Sequence, residues 1–123
     1  MVAVARSFEA EPAAVSEARA VVRSLLEPTD EGLVALVVLL ADEVVTNAVV
    51  HGEGPVDLAI DANEDRVKVM VRDRSDGRVS PRRAPQLSEG GRGLSIVQSI
   101  ASRWGVSTAR PGKTVWFEVD RAS

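Results

Sequence analysis

The 123-residue sequence predicts an α+β fold: a mixed, mostly antiparallel sheet of about five strands with three helices on one face, a two-layer sandwich. Three observations lead there. Patterns of period two and period 3.6 run in the order strand, helix, helix, strand, strand, helix, strand, strand, which is not the alternation of a doubly wound parallel sheet. Segments 56–62 and 67–73 each present one apolar face, as strands covered on a single side do. The length suits a single domain spanning residues 1–123.

The elements follow in chain order. Residues 2–8 alternate loosely and read as a strand. Pro12 suits the first turn of a helix whose apolar face is Ala13, Ala14, Ala18, Ala20, Val21, Val22, Leu25 and Leu26, with Pro28 as its stop. Thr29 or Asp30 is an N-cap for a second helix, and the acids at 30 and 31 favour the positive end of its dipole. That helix runs to about His51, where Gly52 ends it. In 56–62, Val56, Leu58, Ile60 and Ala62 share a face; in 67–73, Val67, Val69 and Val71 do. Asn63, Glu64 and Asp65 form the turn between them. The periodic pattern then vanishes over about 74–91, too long an irregular stretch for an ordinary connection. A third helix over 92–103 buries Leu94, Ile96, Val97, Ile100 and Ala101, and Gly105 ends it. Strands over about 106–110 and 113–119 close the chain through Pro111 and Gly112.

Composition removes whole classes of chemistry. Without cysteine there is no thiol catalysis and no Cys-ligated metal. A single histidine excludes a multi-His centre. Phe8, Trp104, Trp116 and Phe117 are too few aromatics to stack single-stranded nucleic acid, and no helix is basic, so direct nucleic-acid binding is not expected. The longest apolar run, 33–41, falls short of the ~20 residues that span a bilayer. It reads as a core helix, and the start of the chain lacks the pattern of a secretory signal. The expectation is a cytoplasmic protein with no membrane contact. Charge is split between the halves: thirteen acids and three arginines before residue 66, five acids and twelve bases after it. Such asymmetry suits an anionic ligand or partner.

Three places carry candidate chemistry. The second helix is apolar almost all round except for Asp42, Glu43, Thr46, Asn47 and His51. Asp42 and Thr46, and Glu43 and Asn47, are spaced i, i+4, so they form adjacent rows. Periodicity alone fits two readings: a solvent-facing sector, or oxygen ligands suited to Mg²⁺ and to orienting water. His51 fits an interaction with its own helix end. Second, Asp73 stands where a strand meets a loop, as a turn former or as an acceptor for an exocyclic amine. Third, Gly90, Gly91, Arg92 and Gly93 lead into a helix, whose N-terminus offers free N–H groups to phosphate. Gly112-Lys113-Thr114 opens a strand and lacks the upstream glycine, so it is not a Walker element.

Taken in order, these pieces resemble a known pattern. ADEVVTNAVVHG at 41–52 is similar to the N-box of the Bergerat-fold ATPases, the GHKL superfamily. DRSDG at 73–77 is similar to the following Asp-x-Gly-x-Gly box, with Ser75 in place of its first glycine. GGRGLSIV at 90–97 resembles the glycine box after the ATP lid, here about 74–91, and the segment from Gly112 to Trp116 resembles the terminal strand. The short lid brings the chain nearest to the anti-sigma-factor serine kinases, the SpoIIAB/RsbW-like branch. The resemblance implies Glu43 as general base and Asn47 as ligand of an Mg²⁺ that bridges the phosphates of ATP. It implies Asp73 as reader of the adenine amine, with Gly77 under the base. Gly91, Gly93 and Arg92 would contact phosphate, and Thr114 would lie near adenine. It further implies a serine/threonine kinase acting on an anti-anti-sigma (STAS) protein, a sigma factor as second partner, and a homodimer. A regulatory ATP-binding module without kinase activity is the alternative. Five of the twelve bases after residue 65 lie between Arg74 and Arg92, which makes that half a candidate polyphosphate-facing surface.

Overall fold

A computed structural model describes residues 2–26, 31–74, 92–108 and 112–121. Among them are β1 (Val2–Phe8), α1 (Ala13–Leu26), α2 (Glu31–His51), β2 (Val56–Ala62), β3 (Arg66–Asp73), α3 (Arg92–Ile100), β4 (Arg103–Ser107) and β5 (Lys113–Asp120). The strands form one sheet in the order β1-β2-β3-β5-β4, and every described pairing is antiparallel. The expected α+β sandwich is therefore present. The Pro28 stop and the Thr29 or Asp30 cap fall outside the described residues.

Alternation decides which side of the sheet is covered. Val56, Leu58, Ile60, Val67, Val69, Val71, Val115, Phe117 and Val119 are all buried and share the face under the helices. α2 forms the centre of the helical layer, packed between α1 and α3 and against β2 and β3. It is long and apolar enough to cross a bilayer, yet half of that window is buried within this chain. Leu33, Val34, Val37, Val38, Leu40, Ala41, Val44, Val45 and Ala48 join the core, which explains a helix apolar nearly all round.

The opposite face carries a cluster of paired charges beside Met70 and Trp116. Glu118 meets Arg103 Nε, Arg66 Nε at 3.6 Å and Lys68 Nζ at 3.9 Å, and Arg103 also binds Asp120. Lys68 Nζ lies 4.9 Å from the centroid of the Trp116 ring, a cation–π contact.

Two boundaries differ from expectation. α3 ends at Ile100 rather than near 103, and β4 begins at Arg103 rather than 106. The cause is competition for one N–H. Ala101 still donates to Val97 O, but Ser102 N already donates to Glu118 O at 2.8 Å. Arg103 is then held by Glu118 and Asp120, so the sheet captures the chain early. Gly105 is accordingly not a helix stop; it pairs with Trp116 inside β4.

Candidate functional site

Asp73 is the last residue of β3. It continues the inward series of Val67, Val69 and Val71, so alternation drives a carboxylate into the core side of the sheet. It is only 1% exposed. A buried carboxylate must be partnered, and Lys113 Nζ lies 3.8 Å from Asp73 Oδ2. Lys113 arrives there by register, directly opposite Asp73 in the β3–β5 ladder.

Two glycines make room around this residue. A Cβ on Gly52 would fall 2.7 Å from both Cβ and Oδ2 of Asp73. A Cβ on Gly112 would fall 2.4 Å from the Asp73 carbonyl oxygen, and Gly112 has φ +109°. The end of α2 and the start of β5 can both close on Asp73 only because these positions lack side chains. Arg74 N donates to Glu53 O at 2.7 Å and ties the strand end to the segment after α2.

Next to Asp73 is a narrow slot of about 60 Å³, lined by Val44, Asn47, Ala48, Val71, Asp73, Val106, Lys113 and Val115. Its walls are mostly valine and alanine, and its polar groups are one carboxylate, one ammonium and one amide. Asn47 is on α2 and Asp73 on β3, so the slot joins the two layers.

The polar row of α2 divides in the fold. Asn47 lines the slot. Glu43 is half-buried one turn earlier on the same row and is not part of the slot lining. Asp42 turns to α1, where it accepts from Arg19 at 2.8 Å; that hydrogen bond and the carboxylate charge raise the Arg19 pKa. Thr46 is exposed. The stripe is thus neither a plain solvent sector nor a single site: Asp42 turns to α1, Asn47 lines the slot, and Thr46 is exposed.

Arg92 and Gly93 form the first turn of α3, which packs on α2. Gly77 and Gly91 lie outside the described residues. Thr114 is not brought beside Asp73. It pairs with Arg72 and lines the open face of the sheet, opposite to Asp73. Because Val115, Phe117 and Val119 face the core, residue 113 shares their side and residue 114 cannot. Lys113 is the residue missed, and counting in twos back from Phe117 finds it.

A larger concavity, about 390 Å³, crosses the open face over Ala5, Ala59, Met70, Arg72 and Thr114. Of its polar groups, Ser7 donates to Asp57, which also pairs with Arg74 at 2.8 Å. Arg74, expected beside the lid, is thus bound to β2. The smaller slot is the one that joins Asp73 and Asn47.

A small, mostly apolar slot lined by a buried carboxylate, an ammonium and an amide is a candidate ligand site, and the class so defined is an α+β sandwich with that site between its helical layer and its sheet. Residues 8–119 match the family described as the histidine kinase-like ATPase domain, and the chain belongs to it. Membership makes this an ATP-binding domain of the GHKL type. No curated protein matches the chain closely enough to narrow that identity.

Proposed function

We propose that the chain is an anti-sigma-factor serine/threonine kinase. It binds ATP in the slot, phosphorylates a small STAS-type anti-anti-sigma protein, and holds a sigma factor when that antagonist is phosphorylated. The observation that carries the reading is the meeting of Asp73 and Asn47, twenty-six positions apart, in one slot within a family of ATPase domains.

The donor set fits the nucleotide and its metal. Asp73 offers a buried acceptor to an exocyclic amine, and Val44, Ala48, Val71 and Val115 flank the ring. Among the described residues no group of three His, Asp or Glu could hold a metal. An Mg²⁺ would therefore rely on Asn47, phosphate oxygens and water, which is its usual coordination with nucleotides. Bound there, it would neutralise phosphate charge. The first turn of α3, with Arg92 and Gly93, supports a phosphate-facing role through its free N–H groups.

In transfer, the substrate serine oxygen attacks the γ-phosphorus and the bond to the bridging oxygen breaks. ADP leaves, and Glu43 takes the hydroxyl proton. Catalysis is then mainly positioning and charge neutralisation. The protein acts in the cytoplasm, as a homodimer in keeping with the family resemblance.

The test is incubation with labelled ATP and STAS-type proteins encoded near this chain. Phosphoserine on one of them supports the kinase. ATP binding without transfer to any of them favours the regulatory ATP-binding module instead.

A further inference from the structure

We infer that Lys113 is a base-reading residue: its ammonium donates to the ring nitrogen beside the exocyclic amine that Asp73 accepts. The inference rests on the slot being the ATP site.

The geometry is specific. Lys113 and Asp73 are cross-strand partners, and both residues line the slot. The Lys113 side chain is 16% exposed and that of Asp73 is 1% exposed. A lysine held this far from water needs a reason, since Lys is rarely buried without a partner. The ion pair supplies part of one. At 3.8 Å it is longer than a hydrogen bond, so it does not use up the three ammonium donors.

The adenine edge carries an amine donor, N6, next to a ring acceptor, N1. The slot presents an acceptor next to a donor, with a gap between them that such an edge can bridge. Asp73 alone would leave N1 facing apolar wall or water. Gly112 fixes the start of β5 against the Asp73 carbonyl, so the Lys113 backbone is firmly placed. Val71 and Val115 hold the adjacent positions in the same ladder.

The experiment compares ATP with 1-deaza-ATP, in which N1 is a C–H group. Both are titrated calorimetrically into the full chain and into Lys113→Met and Lys113→Gln. Wild type should bind the deaza analogue about tenfold to a hundredfold more weakly, the effect of one charged hydrogen bond. Lys113→Met should lose a similar factor for ATP and treat both ligands alike, while Lys113→Gln, whose amide can donate, should recover part of the preference. Equal binding of both ligands by wild type overturns the inference while leaving the ATP site standing. So does discrimination that survives in Lys113→Met. Wild type that does not bind ATP overturns the site itself, and this inference with it. The wild-type comparison needs no variant, so a substitution that fails to fold does not remove the test.

Discussion

Gly52 and Asp73 are in such close approach that one added methyl group on Gly52 would lie 2.7 Å from the Asp73 Cβ and Oδ2. That contact sets the end of α2 against the end of β3, the two elements that supply Asn47 and Asp73. Neither neighbour yields easily, because Asp73 Cβ is anchored by a strand. Gly52→Ala is expected to cost about 1–3 kcal/mol as an overpacked contact and to weaken ATP binding about tenfold by displacing the carboxylate. Thermal melts and calorimetry on the same samples check both.

Asn47→Ala should remove the part of ATP affinity that depends on Mg²⁺. The measurement is paired titrations with Mg²⁺ and with EDTA. In the wild type the two differ; in the variant they converge. A variant that keeps the full Mg²⁺ effect would take Asn47 out of that role.

Glu43→Ala separates binding from transfer. Glu43 is one turn before Asn47 and outside the slot lining, so ATP affinity should stay within about threefold of wild type. Phosphotransfer to the STAS substrate should fall by about a hundredfold or more, the scale of a lost general base. Unchanged transfer would remove Glu43 from the chemistry.

Phe117 tests the core independently of the site. It is among the largest fully buried side chains and faces the helical layer from β5. Phe117→Ala should destabilise the domain by about 3–5 kcal/mol, read from the shift of the urea midpoint.

Much of this architecture is legible in the amino-acid pattern. The alternation of 56–62 and 67–73 locates β2 and β3 to within a residue, because each strand has one face in the core and one outside. The apolar run at 33–41 marks α2 as a core helix, although Ala35 and Leu39 within it are exposed. The end of α3 is not legible. Residues 101–103 carry nothing that forbids helix, and the sheet wins them through Glu118, a partner sixteen residues further along from Ser102. The Thr114 expectation has a different origin. It comes from resemblance of a short segment, where a one-residue shift moves a side chain to the opposite face of a sheet. The burial of Val115 and Phe117 carries the correct parity, and it assigns the place beside Asp73 to Lys113. The charge split also takes a different meaning. Among the described residues, Arg66, Lys68, Arg74 and Arg103 are engaged with Glu118, Asp120 and Asp57, so these four bases hold the sheet.

The central claim is that the slot between α2 and β3 binds ATP through Asp73. Calorimetric titration of ATP into wild type and Asp73→Asn tests it most directly, since the substitution keeps shape and replaces an acceptor oxygen with a donor. Saturable binding by wild type, weakened at least about tenfold in a folded Asp73→Asn, is the predicted result. No binding by wild type, or equal binding by the two proteins, would contradict it.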